Sequence, residues 1–344
     1  MSTPPPRSYV KHWTAAEMVQ GVFAVQNCQI GQTKDGKPYI KCLVGDKTGK
    51  APGRKWSTTD QEFSRLPTDG FVYLEGQTQP YQGEMQLIIH RIEPHEPSDR
   101  ELTDLLPATE HDIDGMFRDV MGFLDSLDDP ACRTLADRYL EDGELMNAFC
   151  QAPAASNLHH AYLGGLLEHT RSLMAAAEAL LPNYPGLNRD VVLLGLFLHD
   201  LGKCQELTWK TGFGYSDDGQ LVGHIARGAI LLEQKAKLCE DEELGDAAQK
   251  IPDALLRVLT HIILSHHGQP EFGALKLPAT PEAIFVSNLD NLDAKMQMAL
   301  DAAGRDDHEQ ADAKSAELGG HFTEKLWALG TRLYRPDPTT VADQ

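Results

Sequence analysis

The first quarter of the chain alternates short apolar runs with turn residues, and the runs are rich in β-branched and aromatic side chains. Four runs are strand candidates by composition: residues 22–25, 39–44, 71–76 and 85–89. Three dipeptides that are typical of turns separate such runs: Asp35-Gly36, Thr48-Gly49 and Gln82-Gly83. About five short strands in roughly 80 residues predict a small closed barrel, and the OB-fold is the commonest barrel of that size.

From about residue 102 onwards, apolar positions recur at spacings of three and four, which is the period of an amphipathic helix. The pattern predicts one helix over 160–181 and another over 188–201, with Asn188 as the N-cap of the second. A short hairpin is predicted over 208–218. Further helices are predicted to begin at four residues: Gly223, Ala254, Pro281 and Gly320.

These patterns predict a two-domain protein, with a small all-β barrel followed by an all-α helical bundle. We expect an OB-fold domain at 15–95, a helical connector at 96–150, a helical catalytic domain at 151–330 and a tail at 331–344. Prolines and charged residues just after the barrel indicate a linker. A chain of 344 residues is long enough for two separate hydrophobic cores.

Composition narrows the class of protein. The apolar runs fall short of the roughly 20 residues that a membrane-spanning helix needs, and the N-terminus lacks the apolar core of a signal peptide. We therefore expect a cytoplasmic protein without a membrane partner. The six cysteines are scattered without a C-x-x-C pair, which predicts free thiols in a reducing compartment.

Charge is distributed unevenly along the chain. The net charge is −20, yet residues 1–100 carry 12 basic and 11 acidic side chains, and residues 11–57 carry eight and three. Aromatic side chains interleaved with lysines are typical of single-strand nucleic-acid binding, although a hairpin with ordinary solvated lysines is the alternative. The candidates for such an interface are Lys34, Lys37, Tyr39, Lys41, Lys55 and Trp56.

The candidate chemistry centres on His199 and Asp200, which follow a run of apolar residues. A buried carboxylate beside an imidazole is costly unless something positive holds both, and a divalent metal ion commonly does so. Further candidate ligands lie at intervals on both sides: His169, His224, His266, His267 and Asp290. These nitrogen and oxygen donors suit Mn, Fe, Zn, Mg or Co rather than a thiolate site.

The donors divide into two candidate cation positions. One would take His169, His199 and Asp290, and the other would take the remaining histidines, with Asp200 bridging two ions. The two adjacent histidines of the second set diverge on a helix, so one of them could support a ligand instead of binding. Two such ions would generate hydroxide and orient a phosphodiester.

Asp200 and Lys203 form the predicted catalytic pair. Lys203 follows Asp200 by three residues, on the same face of a continuous helix, and is predicted to meet a non-bridging phosphate oxygen. Asp293 is the alternative to Asp290 as a ligand and otherwise supports one. His160 either supports the site or is simply exposed.

These motifs carry a family resemblance. The pattern His169, His199-Asp200 and Asp290 resembles the HD-domain metal-dependent phosphohydrolases, and the extra histidines resemble the members with more than one metal ion. Six segments look closer still to the YhaM-type 3′→5′ exoribonucleases: 157–162, 198–203, 264–268, 290–296, 322–325 and 334–336. The resemblance covers about residues 15–336. It implies an OB-fold before an HD-domain helical bundle, and Mn-dependent trimming of single-stranded RNA, and often DNA, from the 3′ end.

The sequence thus predicts a metal-dependent 3′-5′ exoribonuclease, in which metal-activated water hydrolyses the terminal phosphodiester bond. We expect two divalent ions, with Mn as the first choice, and single-stranded RNA as the partner, with single-stranded DNA as a second. Two alternatives stay open: a phosphohydrolase of a small nucleotide, and a non-catalytic nucleic-acid-binding protein with a structural metal site. Whether the chain forms a homo-oligomer also stays open.

Overall fold

The computed structural model describes seven stretches of the chain: residues 8–33, 35–81, 84–155, 162–209, 213–240, 250–303 and 321–336. Within them, a β barrel is followed by a helical region and then by a short β hairpin. The predicted order of an all-β part and an all-α part is therefore confirmed. Every helix in these stretches is too short or too polar to span a membrane.

Five strands form the barrel: β1 (Met18–Gln32), β2 (Pro38–Asp46), β3 (Gly49–Trp56), β4 (Gly70–Tyr81) and β5 (Glu84–Pro94). The barrel is closed, in the order β1-β2-β3-β5-β4, with β4 pairing back to β1. The pairs are antiparallel except for β3 with β5, which is parallel. A single helical turn, α1 (Asp60–Phe63), lies between β3 and β4. The predicted OB-like barrel is therefore present.

The barrel closes around the apolar faces of its strands. Inward and outward positions alternate, so that Ile40, Cys42 and Val44 of β2 point into the core. The four predicted strands lie within longer observed strands. Strand β3 was missed, because its eight residues include one proline, two glycines and three basic side chains, which is not a β-type composition.

The helical region follows the barrel. Its helices are α2 (Asp99–Leu105), α3 (Ile113–Asp125), α4 (Pro130–Leu140), α5 (Gly143–Gln151), α6 (Gly165–Leu180), α7 (Arg189–Leu198), α8 (Lys203–Glu206), α9 (Asp217–Leu221), α10 (Gly223–Cys239), α11 (Asp253–Ser265) and α12 (Pro281–Ala303). The predicted hairpin is present as β6 (Leu207–Thr208) and β7 (Gly214–Tyr215). Helices α6, α7, α10, α11 and α12 contribute to one large apolar core.

The start predicted for the helix over 160–181 is wrong. Residues 156–161 lie outside the described part of the chain, and α6 begins only at Gly165. Leu163 instead forms a β-bridge with Ala108, and Gly164 adopts a left-handed conformation at φ +80°. A left-handed residue cannot continue an α-helix, so the helix begins after it.

Two further helix predictions differ from the structure. Helix α7 ends at Leu198 rather than at 201, so the residues that follow it lie in a turn. The helix predicted from Gly320 is wrong over 321–336, which forms a hairpin closed by bridges between Phe322 and Tyr334 and between Leu326 and Thr331.

An apolar cluster joins the barrel to the helical region. Its buried members are Ala24, Phe71, Leu105 and Leu106. Beside the cluster, Lys47 Nζ lies 2.7 Å from Asp104 Oδ1, and Tyr9 Oη donates to the same oxygen at 2.9 Å. Helix α2 therefore packs on the barrel, and Leu163, which precedes α6, packs on the same cluster. The predicted linker corresponds to the short segment before α2.

Candidate metal centre

Helix α7 carries the chain into the core just before His199 and Asp200. Asn188 caps the helix as predicted, because its Oδ1 accepts a hydrogen bond from Val191 N at 3.1 Å. The helix is buried from its second residue to its end. His199 N still donates to Gly195 O at 2.9 Å, and the chain then turns. Both side chains are thereby held in a buried turn instead of on one helix.

Three helices supply the first group of candidate ligands. His169 comes from α6, His199 follows α7 and Asp290 comes from α12, and one ligand atom from each lies within 4.8 Å of the others. His169 Nε2 is 3.3 Å from Asp290 Oδ1 and 3.8 Å from Asp200 Oδ2. His199 Nε2 is 3.4 Å from the same oxygen of Asp200. This group has the composition predicted for the first cation position.

The second group faces the other carboxylate oxygen of Asp200. His224 Nε2, from the first turn of α10, is 3.6 Å from Asp200 Oδ1, and His266 Nε2 is 3.5 Å from it. His267 completes the group, with its ring centroid 4.3 Å from that of His266. The two adjacent histidines reach one place because α11 ends at Ser265 and the chain turns there.

Four buried polar atoms of this site have no hydrogen-bond partner among the described residues. They are His199 Nε2, Asp200 Oδ1, His224 Nε2 and His266 Nε2. A buried polar atom without a partner costs about 1–3 kcal/mol, so a cluster of four indicates a ligand that they share. Converging imidazole nitrogens and carboxylate oxygens form the donor set of a divalent cation. The residues present therefore fit a divalent metal ion.

Backbone carbonyls orient three of the imidazoles from behind. His199 Nδ1 donates to Leu196 O at 2.7 Å and His266 Nδ1 donates to Ile263 O at 2.8 Å. His267 Nδ1 donates to Phe272 O, also at 2.8 Å. A carbonyl can only accept, so these Nδ1 atoms carry the proton and each Nε2 is left with a lone pair for a cation.

Carboxylates hold the other two imidazoles. Asp293 Oδ2 lies 2.8 Å from His169 Nδ1, which is the supporting position predicted for it. Glu206 Oε2 lies 2.9 Å from His224 Nδ1, and Glu206 Oε1 accepts from His224 N at 3.1 Å. Sequence reasoning did not single out Glu206, because a lone glutamate carries no signal that the chain returns to it at His224.

Burial and neighbouring charge shift the histidine pKa values in opposite directions. Burial lowers the pKa of His199 to about 4 and that of His267 to about 3. Burial also opposes a charge on His169, but hydrogen bonds with Asp290 and Asp293 outweigh it and raise the pKa of His169 to about 9. At neutral pH, His199 and His267 therefore offer lone pairs, whereas His169 carries a proton that a cation would displace.

Lys203 forms an ion pair with Asp200. Its Nζ lies 2.6 Å from Asp200 Oδ2, although Lys203 begins α8 and the two residues do not share a helix. Burial works against both charges. Nevertheless, Asp200 raises the pKa of Lys203, and Lys203 with His199 holds the pKa of Asp200 well below its usual range. Both partners are ionised at neutral pH.

The predicted nucleic-acid interface lies in part on the outer face of β2 and β3. Tyr39 and Trp56 are cross-strand neighbours with ring centroids 5.1 Å apart, and Trp56 is 44% exposed. Lys41 follows on the same face, opposite Arg54, whose guanidinium lies 5.8 Å from the ring centre of Tyr81. The face therefore presents aromatic rings and cations side by side.

The other residues predicted for this interface fall elsewhere. Lys37 is exposed in the turn before β2. Lys34 lies outside the described residues, as does His160. Lys55 does not join the face: its side chain is 11% exposed, and its Nζ lies 3.0 Å from Glu62 Oε1. Because Lys55 is largely buried and its charge is paired with Glu62, it is not available to bind a strand.

Known proteins resemble this chain over the helical region that contains the site and over nearly its whole length. The model of the HD domain family matches residues 166–295, which contain every candidate ligand. A protein of Geobacillus sp. (strain WCH70) named 3′-5′ exoribonuclease YhaM is 31% identical over 337 residues, which are 97% of this chain and 97% of that protein. A protein of the same name from Shouchella clausii is 28% identical over 329 residues, 95% of this chain and 96% of its own. Among solved structures, protein priB of Ralstonia solanacearum aligns over its full length with 24% of this chain, at 15% identity and a TM-score of 0.20, a likeness too distant to carry an argument.

Proposed function

We propose that this chain, which belongs to the YhaM family of 3′-5′ exoribonucleases, cleaves RNA at the cation site around Asp200. The chain is a metal-dependent hydrolase with an HD domain. The observation that supports this site is that the two oxygens of one buried carboxylate face two different sets of imidazoles. Asp200 Oδ2 faces His169 and His199, whereas Oδ1 faces His224 and His266. A carboxylate so placed is suited to bridge two cations.

Seven side chains would hold the cations: His169, His199, Asp200, His224, His266, His267 and Asp290. We propose two ions, because the ligand atoms form two sets on either side of Asp200. Five imidazoles with two carboxylates are intermediate between the imidazole sites typical of Zn and the oxygen sites typical of Mg. This supports Mn, with Fe, Co, Zn and Mg as alternatives. When bound, such ions lower the pKa of water and neutralise charge on a phosphodiester.

The proposed reaction is hydrolysis of the last phosphodiester bond of the strand. A bond forms from a water oxygen to phosphorus, and the bond from phosphorus to the 3′ oxygen of the preceding nucleotide breaks. That oxygen takes up a proton, so the products are a nucleoside 5′-monophosphate and a strand shorter by one nucleotide. Lys203 remains protonated beside Asp200 and is placed to offset negative charge on the phosphate oxygens.

The barrel is proposed to hold the body of the strand. Tyr39 and Trp56 offer aromatic faces, with Lys41 and Arg54 beside them and Lys37 in the adjoining turn. Bases stack on aromatic rings whatever their sequence, and a degradative enzyme requires that tolerance. These features support single-stranded RNA as the substrate, with single-stranded DNA as a second.

A strand-shortening assay tests the assignment. With Mn, the purified protein should convert 5′-labelled single-stranded RNA into a ladder of products that differ by one nucleotide. Asp200→Asn should lower the rate by about 10³-fold or more, because both cation positions lose a shared charged ligand. Asp253→Asn, which changes an exposed carboxylate at the start of α11, is the matched control and should keep the full rate.

Each contrary outcome has a distinct meaning. An unchanged rate for Asp200→Asn, or shortening that persists after all divalent cations are removed, would contradict the site. Hydrolysis of free nucleotides but not of strands would indicate a small-nucleotide phosphohydrolase. Strand binding without cleavage under any divalent cation would indicate a binding protein with a structural metal site.

A further inference from the structure

A cavity of about 230 Å³ lies where the barrel meets the helical region. Its lining comes from β1, β2, β3 and the turn between the last two, from the end of α2, and from Phe213 in the hairpin of β6 and β7. Pockets that enclose a whole small molecule have volumes of about 300–1,000 Å³. The size of this cavity therefore suits part of a larger ligand, such as one base of a strand.

The outer face of β2 and β3 leads to this cavity. Four cross-strand pairs follow one another along the face: Tyr39 with Trp56, Lys41 with Arg54, Leu43 with Pro52, and Gly45 with Lys50. The last two pairs supply three lining residues: Leu43, Gly45 and Lys50. Since a strand rises about 3.4 Å per residue, the cavity begins about 14 Å along β2 from Tyr39. A single strand bound at Tyr39 and Trp56 therefore has the cavity within reach of its neighbouring nucleotides.

Lys50 contributes a positive charge to the cavity. A Cβ on Gly45 would lie 3.1 Å from Lys50 Cγ, so the lysine side chain lies across this glycine. Among the described residues, no carboxylate forms an ion pair with Lys50, and partial burial of its ammonium group lowers its pKa. A partly dehydrated cation without a partner is stabilised by an anion, and the phosphate of a nucleotide is such an anion.

The acidic residue of the lining, Asp46, is occupied by hydrogen bonds within the protein. Its Oδ2 accepts from Val10 N at 2.8 Å, and its Oδ1 accepts from Thr48 N at 2.8 Å and from Thr48 Oγ1 at 2.6 Å. Lys47, which also lines the cavity, is paired with Asp104 at 2.7 Å. The other lysine of the lining therefore determines the charge that the cavity presents to a ligand.

Phe213 contributes an aromatic ring from the helical region. The side chain is half-buried and packs against the apolar cluster that joins the helical region to the barrel. Phe213 precedes β7, and its hairpin begins directly after Glu206. Ser216 closes the base of the hairpin, because its N donates to Glu206 O at 2.9 Å and its Oγ donates to Gln205 O at 2.7 Å. One hairpin therefore connects the cavity to the acid that holds His224.

These groups match the parts of one nucleotide. Phe213 and Leu43 offer an aromatic and an aliphatic surface, and both kinds of side chain pack on the face of any base. Gln26, the cross-strand neighbour of Leu43, also lines the cavity. Its amide has both donors and an acceptor, so it can meet the edge of any base. The cavity therefore suits a base of any kind, with the phosphate at Lys50.

We propose that this cavity, which we call the junction pocket, binds one internal nucleotide of the single strand, with its base against Phe213 and its phosphate beside Lys50. The inference rests on the proposed function, because it takes a single strand as the substrate. A nucleotide bound there contacts the barrel and the helical region at once. The strand is thus held at the boundary of the two parts, without selection of a sequence.

Two single strands of equal length test the base contact: oligouridylate, and a ribose phosphate oligomer without bases. Fluorescence anisotropy measures their binding without divalent cations, so that no strand is cleaved. Phe213→Leu keeps an apolar side chain against the cluster but removes the ring. It should weaken the binding of oligouridylate by at least about 5-fold, the lower end for one stacked base, and leave the strand without bases unaffected. Phe213→Tyr should bind as the wild type does, and so should the matched control Phe322→Leu, at an exposed phenylalanine of the C-terminal hairpin.

The salt dependence of binding tests the phosphate contact. Each phosphate of a single strand that a cation neutralises contributes about 0.7 to the slope of log K against log salt concentration. Lys50→Gln should therefore reduce this slope by about 0.7 on both strands, whereas Phe213→Leu should leave it unchanged. Arg65→Gln is the matched control, at an exposed cation of the barrel that does not line the junction pocket, and it should keep the wild-type slope.

The outcomes separate the junction pocket from the proposed function. An equal loss by Phe213→Leu on both strands, or an unchanged slope for Lys50→Gln, would overturn the junction pocket. Variants that bind strands normally but lose the binding of free uridine 5′-monophosphate would also overturn it, since the cavity would then be a site for free nucleotides. A wild-type protein that binds strands as described but shortens none with Mn would contradict the proposed function and leave the junction pocket standing.

Discussion

Every imidazole of the cation site is held by an acceptor on the side away from Asp200. Three of the acceptors are backbone carbonyls, which a side-chain substitution does not remove. The other two are the carboxylates of Glu206 and Asp293, one for each set of ligands. These two acids are therefore the positions at which the two halves of the site can be altered separately.

Glu206→Gln should weaken cation binding on the His224 side by about 10–100-fold, the usual effect of losing a partner behind a ligand. A neutral amide orients the imidazole less firmly and does not increase its basicity. Titration of cation-free protein with Mn should show one weakened and one unchanged site. Asp293→Asn should weaken the other site. If both variants weakened the same site, the two cation positions could not be altered separately, which would contradict the prediction.

Cation binding should release a proton from His169. Its pKa of about 9 leaves it protonated in the cation-free protein near neutral pH, whereas His199 and His267, with pKa values of about 4 and 3, are already neutral. We therefore expect His169 to contribute about one proton, and this contribution to fall toward none above its pKa. Heats of Mn binding in buffers of different ionisation enthalpy measure the number. A number of released protons that does not fall as the pH rises through about 9 would contradict the assignment of this proton to His169.

The same proton stabilises the cation-free fold. Because the pKa of His169 is raised above its ordinary value of 6.5, its contribution to the free energy of unfolding is complete below that value. The contribution is lost as the pH rises through about 9. Thermal unfolding in the presence of a chelator should show the decrease, and His169→Gln should not show it.

The candidate ligands could be identified from the sequence, and their orientation could not. Imidazoles and carboxylates inside apolar runs are costly, so His199, Asp200 and Asp290 stand out, and the structure brings all seven candidates together. The acceptors behind the rings leave no such trace. The acceptor for His199 is the backbone carbonyl of Leu196, which any residue at that position would supply. Glu206 reaches His224 only because the chain turns back between them, and the residues around Glu206 do not predict that turn.

At the level of elements, the first turn of α10 packs directly on the turn that carries Asp200. A Cβ on Gly202 would overlap with His224 O and would also approach Gly228 N, one helical turn later. Only a glycine at position 202 allows α10 to come this close. The spacing between two parts of the cation site therefore depends on a residue that binds nothing.

Gly202→Ala should displace the start of α10 and with it His224. We expect weaker Mn binding on the His224 side and a loss of more than about 1 kcal/mol in the free energy of unfolding, because backbone must move to admit the methyl group. Gly122→Ala in α3 is the control, since its Cβ would meet nothing within 4 Å. It should stabilise the fold by about 0.5–1 kcal/mol. Equal effects of both variants on denaturant unfolding would refute the packing argument.

Element types could be predicted well, and element limits less well. The strand and helix periods indicated most elements because each buries one apolar face. Strand β3 was missed because its glycines and proline are not typical of a strand, although Gly53 is required there: a Cβ on it would overlap with Val44. Helix α7 ends early although its apolar period continues, because the chain turns to bring Asp200 to the cation site.

At the level of the molecule, charge separates the barrel from the helical region. Residues 101–344 carry 40 acidic and 19 basic side chains, so this part repels a polyanion away from its cations. The barrel is nearly neutral and presents Tyr39, Lys41 and Trp56 on one face. Binding of a long strand should therefore depend on the barrel.

Tyr39→Ala combined with Trp56→Ala should weaken the binding of a long single strand by at least about 10-fold, since each stacked base contributes about 1–3 kcal/mol. Hydrolysis of a dinucleotide, which lacks the body of the strand that the barrel is proposed to hold, should be unchanged. Fluorescence anisotropy and dinucleotide turnover measure the two effects. Tyr184→Ala, at an exposed position of the helical region, is the control. Equal losses on both substrates would contradict the division of roles.

The two-part fold could be predicted because the period of apolar positions changes near residue 100. The contact between the parts could not. Ala24, Phe71 and Leu105 are far apart in the sequence and look like ordinary core residues of separate domains, yet they pack together. The ion pair between Lys47 and Asp104 could not be predicted either, because nothing in the sequence indicates that these two residues lie close together.

The contact between the barrel and the helical region determines how long a strand must be to bind both of them. Because α2 and the segment around Leu163 pack on the same cluster as Ala24 and Phe71 of the barrel, we expect the path of a strand from Trp56 to Asp200 to keep one length. A strand long enough to span it is held at both ends, and trimming shortens the strand until it no longer reaches the barrel. Degradation should then slow abruptly and leave oligonucleotides of one characteristic size, which another activity must clear.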